Sequence, residues 1–155
     1  MKFLIIENVR SAYNVGAMFR TADGAGVSKI FLVGYTPTPI DRFGRPQAEI
    51  KKTSLGASSE VEWEHVDDVS KVIESLQSDG VEVVAVEQKE TSISLPNFKL
   101  PEKIAYIVGN EIDGVSSEAI KMADKIMEIP MLGTKESLNV SVAAGIVLYH
   151  GLHSK

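Results

Sequence analysis

The N-terminal part of the chain alternates between strand-like and helix-like sequence, and this alternation restricts the possible folds more than any other feature. Residues 3–6 form a short apolar run that is typical of a buried strand. Val15, Met18, Phe19 and Ala22 then follow at helical spacing, and residues 29–33 are again apolar. A strand, a helix and a second strand so close together predict a βαβ unit, which requires parallel strands.

The same alternation continues along the rest of the chain. An alternating stretch at residues 61–66 and apolar runs at residues 82–86, 103–108 and 125–129 predict further strands. Periodic stretches predict a helix capped by Asp67 and running to about residue 78, another over 116–123, and a last one over 137–152. Prolines and glycines interrupt residues 35–59 and 88–102, so we expect irregular loops there. The sequence therefore predicts one α/β domain over residues 1–155, with a mainly parallel sheet flanked by helices.

Composition excludes several classes of protein. The chain has no cysteine, which excludes disulfides, thiolate catalysis and cysteine-ligated metal and is compatible with a cytoplasmic location. No apolar stretch is long enough to cross a membrane, and the apolar N-terminus is too short for a signal peptide. His65, His150 and His153 lack the spacing of metal ligands, so we expect no metal site.

Charge is distributed unevenly along the chain. The net charge is −5, but residues 1–52 hold eight basic and four acidic residues, whereas residues 53–155 hold eight basic and seventeen acidic ones. Every arginine precedes residue 46, and arginine suits bidentate phosphate contacts. This pattern allows two interpretations, a basic RNA-binding face on an acidic body or a scatter of solvated side chains.

A first motif covers residues 8–22, Asn-Val-Arg-Ser-Ala-Tyr-Asn-Val-Gly-Ala-Met-Phe-Arg-Thr-Ala. Asn14 lies where the first strand gives way to a helix, and it is of a residue type that caps helices. Gly16 permits the close approach of another backbone. Taken singly, Arg20 is most simply a solvated side chain on the polar face of this helix.

A second motif, Gly-Asn-Glu-Ile-Asp-Gly at residues 109–114, follows a buried strand. A glycine turn at this position exposes backbone N–H groups at the carboxyl edge of a parallel sheet, where such sheets bind ligands. The residues match neither a dinucleotide fingerprint nor a nucleoside triphosphate loop, because both G-x-G-x-x-G and G-x-x-x-x-G-K-[ST] are absent. An ordinary tight turn remains the alternative interpretation.

A third motif joins the last strand to the last helix. Ile-Pro-Met at residues 129–131 ends the strand, and Ser-Leu-Asn-Val-Ser-Val-Ala at 137–143 opens a helix that is apolar on almost every face. Such a helix must lie deep in the protein or at a subunit interface. Ser137 and Asn139 could simply cap this helix.

Together the three motifs resemble those of the SpoU family of RNA ribose 2′-O-methyltransferases. The resemblance implies an α/β fold with a deep trefoil knot at its C-terminal end. It also implies S-adenosylmethionine as cofactor, tRNA or rRNA as substrate, and a homodimer without metal. The family pattern assigns the catalytic polar set to Asn14, Arg20, Glu111, Ser137 and Asn139. It assigns cofactor contacts to Val86, Glu87, Gln88, Val108, Gly109, Asn110, Glu111, Ile129, Pro130, Met131, Ser137 and Leu138.

In this family Arg20 is the proposed activator of the ribose hydroxyl, contributed by one subunit to the cofactor loops of its partner. A guanidinium is normally protonated, so we favour Arg20 as a donor to the developing alkoxide. We expect RNA on the basic N-terminal surface, at Arg10, Arg20, Arg42, Arg45, Lys51 and Lys52. The chain starts directly at the first strand, so we expect no N-terminal RNA-binding extension. Two other functions stay open, an RNA-binding or assembly protein without turnover and a flavodoxin-like small-molecule enzyme.

Overall fold

The computed structural model describes residues 1–153 and contains a parallel sheet of seven strands. The strands are β1 (Lys2–Glu7), β2 (Lys29–Val33), β3 (Trp63–Val66), β4 (Glu82–Val86), β5 (Ile93–Ser94), β6 (Ile104–Val108) and β7 (Lys125–Glu128). Their order across the sheet is β3-β2-β1-β6-β4-β7-β5, and every pairing is parallel. The predicted α/β class and parallel sheet are therefore confirmed.

Helices cover both faces of the sheet. They are α1 (Ala12–Gly24), α2 (Ala48–Ser54), α3 (Val69–Ser78), α4 (Ser117–Met122) and α5 (Val140–Tyr149). One core lies between the sheet and α1, α2 and α5, and includes Phe19, Ile50 and Leu148. The other lies between the sheet and α3 and α4, and includes Ile73 and Ala119. β6 is buried at every position, as expected of a central parallel strand covered on both faces.

Helix starts follow capping chemistry, at positions that differ from those predicted. The Ser11 side chain caps α1 by accepting from the Asn14 N–H, so Asn14 lies inside the helix and is not its cap. The Asp68 side chain accepts from the Ser70 N–H and caps α3 in place of Asp67. The last helix is shorter than the predicted 137–152 span, because Asn139 caps its start, residues 137–138 belong to the preceding loop, and the helix ends at Tyr149.

The expectation of irregular structure over residues 35–59 was wrong in its second half. Helix α2 begins after Gln47, whose side chain accepts from the N–H groups of Glu49 and Ile50, and a short 3-10 turn follows at Ala57–Ser59. With only seven residues and one fully buried apolar position, Ile50, α2 is too short to show a helical period. The predicted 88–102 loop likewise contains β5 and a 3-10 turn at Leu95–Asn97.

No helix among residues 1–153 is long and apolar enough to cross a membrane.

Candidate functional site

The sheet has a topological switch point between β1 and the central strand β6. β1 pairs with β2 on one side and with β6 on the other, so the loops that leave β1 and β6 diverge at the carboxyl edge. In open parallel sheets, ligands bind in the crevice outside this edge at such a point. The loops after β1, β4, β6 and β7 therefore mark the expected position of a ligand.

A cleft of about 390 Å³ lies at this edge, within the size range of small-molecule sites. Its walls come from the ends of β4, β6 and β7 and from the segment 136–143. Of the predicted cofactor contacts, those lining the cleft are Val86, Glu87, Gln88, Val108, Gly109, Asn110, Glu111, Ile129, Met131, Ser137 and Leu138. Pro130 is exposed and does not line the cleft. Lys89 and Glu128 do line it and were not predicted.

The second motif forms a closed turn on the wall of this cleft. Backbone hydrogen bonds run both ways between Asn110 and Gly114, at 3.1 and 3.0 Å, and the Asn110 side-chain oxygen accepts from two further N–H groups of the turn. A side chain at position 109 would overlap the backbone of Gly114 and Val115. Gly109 is therefore required for the turn to close.

Glu111 joins this turn to the start of α1. Its carboxylate accepts from the N–H groups of Arg10 and Ser11, at 3.0 and 2.9 Å. Partial burial alone would raise the pKa of Glu111, but those two N–H groups, its own N–H and the Asn14 side chain outweigh burial and hold the pKa below its usual value. The carboxylate is therefore ionised at neutral pH and lies at the positive end of α1.

Two other carboxylates, those of Glu7 and Glu87, hold the backbone that follows the turn in place. The sequence alone did not indicate this function. Glu7 is 4% exposed and accepts from the N–H and hydroxyl of Ser116, at 2.9 and 2.7 Å. Glu87 accepts from the Val115 N–H at 3.0 Å. An acidic residue at the end of a buried apolar strand (Glu7) or directly after one (Glu87) is the signal that could have indicated them.

The predicted catalytic residues divide into three groups. Glu111 and Ser137 line the cleft. Asn14, only 7% exposed, accepts from the Asn139 side-chain amide at 3.5 Å, so these two residues join α1 to the start of α5. Arg20 is exposed and lies six residues, about 9 Å along the helix axis, beyond Asn14. The structure of one chain therefore does not bring Arg20 to the cleft.

Arg20 lines a second, open groove of about 740 Å³ between α1, α2 and α5. Tyr13, Lys52 and Tyr149 line the same groove. Helix α2 can lie close to α1 because Gly16 faces Thr53 and the Ile50 carbonyl. This contact places Lys52 in the same groove as Arg20. It also explains why the first motif has a glycine at position 16, since a side chain there would collide with α2.

The other predicted RNA-binding residues lie on exposed surface. Arg10 precedes α1, Lys51 belongs to α2, and Arg42 and Arg45 belong to the loop before α2. Of the six basic residues proposed for RNA, only Arg45 forms an ion pair within residues 1–153, with Asp41 at 3.0 Å. The Arg45 N–H, followed by the Phe43 N–H and the Arg45 side chain, keeps the pKa of Asp41 below its ordinary value.

Helix α5 exposes an apolar surface in the single chain. Val142, Ile146 and Tyr149 are 50%, 37% and 48% exposed, while Ala144, Val147 and Leu148 pack into the core. Leu138, in the loop before α5, is 37% exposed.

In the described part of the chain, no three His, Cys, Asp or Glu side chains are grouped as a metal would require.

Comparison with known proteins decides the family. The sequence profile of the SpoU rRNA methylase family matches residues 1–149. The chain belongs to the SpoU rRNA methylase family. A 23S rRNA (guanosine-2′-O-)-methyltransferase RlmB of Neisseria meningitidis is 32% identical over 94% of this chain and 55% of that protein. The chain spans roughly 55–60% of the length of the curated relatives it matches.

Solved structures of RNA-modifying enzymes have the same fold. An AdoMet-bound rRNA methyltransferase from Sinorhizobium meliloti matches with a TM-score of 0.86 and 28% identity, over 96% of this chain and 54% of that one. A TrmH/SpoU tRNA modifying enzyme of A. aeolicus matches with a TM-score of 0.83 and 30% identity, over 96% and 72% of the two chains.

The three SpoU motifs of this chain meet behind the cleft. The Asn110 side-chain amide of the second motif donates to the Asn8 carbonyl of the first at 2.9 Å. The Glu111 carboxylate makes a second link between the same motifs, and the Asn14–Asn139 contact joins the first motif to the third. Motifs far apart in sequence therefore form one hydrogen-bonded unit.

Proposed function

We propose that this chain is an S-adenosylmethionine-dependent methyltransferase that modifies a ribose 2′-hydroxyl in tRNA or rRNA. The observation that carries the proposal is the cleft at the carboxyl edge of the sheet, walled by the loops after β4, β6 and β7 and by the 136–143 segment. The relatives named for rRNA and tRNA modification support the same activity. Because tRNA or rRNA is the proposed substrate, the proposed location is the cytoplasm.

The cleft has the chemistry that the cofactor requires. Apolar side chains of Val108, Ile129 and Leu138 suit an adenine ring, while Asn110 and Glu87 offer polar groups beside them. S-adenosylmethionine supplies an already activated methyl group, so the protein has to position the hydroxyl and manage one proton. No metal is needed for this chemistry.

Arg20 is the proposed donor to the ribose oxygen as its proton leaves. A charged guanidinium in that position stabilises developing negative charge, and its fork can also hold a neighbouring phosphate. Ser137 would contact ribose and cofactor from the cleft wall. Glu111, Asn14 and Asn139 would fix the loops on which these groups depend, since their hydrogen bonds join the three motifs.

We infer that the active enzyme is a homodimer paired through α5. The exposed Val142, Ile146 and Tyr149 form an apolar surface that a second copy would cover. Tyr149 also lines the groove that contains Arg20. A partner seated on α5 would therefore approach Arg20, which allows Arg20 of one subunit to complete the cleft of the other.

We also infer the trefoil knot. Strand β7 lies between β4 and β5, both of which precede it in sequence. A chain that passes through the loop between β4 and β5 before it continues to α5 would form the knot that the family resemblance implies. Tracing residues 86–149 in a crystal structure tests this inference, and an unthreaded path would contradict it.

Subunit complementation tests activity and the shared site together. Arg20→Ala removes the proposed donor, and Gly109→Ala disrupts the cleft turn, because its side chain would overlap backbone. Each variant alone should transfer little methyl from labelled cofactor to bulk tRNA or to rRNA. Mixing the two variants under subunit exchange should restore about a quarter of the active sites of the wild type. About half of the dimers are then mixed, and each mixed dimer has one intact site out of two.

The controls separate the possible outcomes. Circular dichroism of each variant checks folding, and calorimetry checks that Arg20→Ala still binds cofactor in the presence of EDTA. Arg20→Lys should rescue little, because an ammonium lacks the fixed fork. No methyl transfer to either RNA by the wild type would contradict the proposed activity and favour an RNA-binding protein without turnover. Full wild-type activity of Arg20→Ala would contradict its role, and inactive mixtures would contradict the shared site.

A further inference from the structure

A rigid loop before α2 presents an aromatic side chain to solvent. Phe43 is 66% exposed, although large apolar side chains are normally buried. The guanidinium carbons of Arg42 and Arg45 each lie 4.9 Å from the centre of its ring, within the range of a cation–π contact. Phe43 therefore lies in a cationic, π-rich surface cluster formed by residues 42, 43 and 45.

Hydrogen bonds fix the loop that holds this cluster. An antiparallel bridge pairs Ile40 with Pro46, and the Asp41 N–H donates to the Arg45 carbonyl at 2.9 Å. One Asp41 carboxylate oxygen accepts from the N–H groups of Phe43 and Arg45, both at 2.9 Å. Gly44 completes the turn with a φ of 77°, a conformation that side chains disfavour. The loop is therefore ordered without any partner.

We propose that Phe43, with Arg42 and Arg45, is a stacking site for an unpaired base of the RNA substrate. The inference rests on the proposed function and names the part of the RNA that this loop contacts. Every base offers a π-face to an aromatic ring or a guanidinium plane, and proteins bind single-stranded RNA through such contacts. The interior of a duplex offers no free face, so the site selects loops, bulges or ends.

The position of the loop agrees with this proposal. It leads directly into α2, whose Lys52 lines the groove with Arg20. An RNA strand held on α1 and α2 near Arg20 could therefore extend one of its unpaired nucleotides onto Phe43. Arg42 has no ion-pair partner within residues 1–153, which leaves its charge available for phosphate or base contacts.

The alternative is that the two arginines only shield an exposed ring. In that case Phe43→Leu would leave RNA binding unchanged, because leucine fills a similar apolar volume. For a stacking site, Phe43→Leu should weaken binding of single-stranded RNA by about five- to a hundredfold, while Phe43→Tyr should bind nearly as the wild type does. Binding to a matched duplex should not distinguish the three proteins.

The experiment measures fluorescence anisotropy of labelled RNA over a series of salt concentrations. The probes are a mixed-sequence single strand, the same strand in duplex, and bulk tRNA. Phe43→Leu should lower affinity without changing the salt slope, because no phosphate contact is lost. Arg42→Gln serves as the matched control and should reduce the slope by about one unit. A 5-bromouridine strand should photocrosslink to a peptide that contains Phe43.

The outcomes separate this inference from the proposed function. If the wild type binds RNA and Phe43→Leu binds the single strand equally well, the stacking site is wrong and the methyltransferase proposal stands. If the wild type binds neither tRNA nor single strands, both proposals fail. Reduced affinity of Phe43→Leu for the single strand, with an unchanged salt slope and unchanged binding of the duplex, supports the stacking site.

Discussion

Gly16→Ala tests whether the glycine of the first motif is needed for the packing of α1 against α2. An added Cβ would overlap Thr53 Oγ1 and would lie 3.0 Å from both the Ile50 carbonyl oxygen and Thr53 Cβ. The Thr53 hydroxyl could rotate away only by losing its hydrogen bond to the Glu49 carbonyl, at 2.8 Å. The Ile50 oxygen belongs to the helix backbone and cannot move alone.

Two opposing effects decide the sign of the change. Alanine is favoured over glycine inside a helix by about 1 kcal/mol. Overpacking a close contact costs about 1–3 kcal/mol. Since backbone restricts the site, we expect overpacking to win by about 1 kcal/mol, which lowers the melting temperature of a chain of this size by about 2–4 °C.

Thermal and urea unfolding of four variants provide the measurement. Gly145→Ala is the helix-propensity control for the single chain, because its Cβ would meet only Thr21 Cγ2 at an ordinary 3.6 Å. Since Gly145 lies on the proposed dimer surface of α5, the variants are compared at a protein concentration at which the chain is monomeric. Thr53→Ala should reduce the cost of Gly16→Ala, with a coupling of about 0.5–1 kcal/mol in the double-mutant cycle. If Gly16→Ala is as stabilising as Gly145→Ala, the packing explanation of this glycine is refuted.

Three further predictions concern single side chains. Glu111→Gln should lower the free energy of unfolding by about 0.5 kcal/mol at neutral pH after allowance for solvent screening. Because the pKa of Glu111 is lowered in the folded state, the difference in unfolding free energy between the wild type and the variant should disappear as the pH falls below the ordinary value of 4.5. A difference that stays constant in urea titrations down to that pH would contradict this. Lys52→Ala should reduce the salt slope of RNA binding by about one unit, whereas Lys99→Ala, a surface control outside the groove, should leave it unchanged. Tyr106→Phe should raise the free energy of unfolding by about 1 kcal/mol, because it removes a buried hydroxyl that has no protein partner among the described residues. The same burial raises the pKa of Tyr106 to about 12. A lower melting temperature of the variant would count against this.

The central strands and the α/β class were predictable because burial on both faces of the sheet leaves a direct mark in sequence, whereas the two-residue strand β5 left none. β4 and β6 are almost entirely apolar, as parallel strands between two helical layers must be. Helix α2 left no such mark, because a seven-residue helix buries too few side chains to show a period. Its start depends on the Gln47 side chain, which is not among the preferred capping residues.

The cleft was predictable only in part, for a related reason. Motifs that follow buried strands can be assigned to the carboxyl edge of the sheet, as the Gly109 turn was. Which side chains then bond to one another depends on strand order and register, which periodicity does not reveal. The bond from Ser116 to Glu7 spans 109 residues, and it exists because β1 and β6 are neighbours.

The first motif therefore serves two surfaces at once. Its N-terminal residues, Asn8 to Asn14, bond to the second and third motifs and hold the cleft together. Two residues later, Gly16 allows α2 to pack close to α1, and this packing places Lys52 in the groove that Arg20 lines. A helix that is fixed at one end by the cleft and at its middle by α2 has little freedom to tilt. Arg20, four residues before the C-terminal end of α1, is thereby held at a defined distance from the cleft of its own chain, and in the proposed dimer it would be presented to the cleft of the partner.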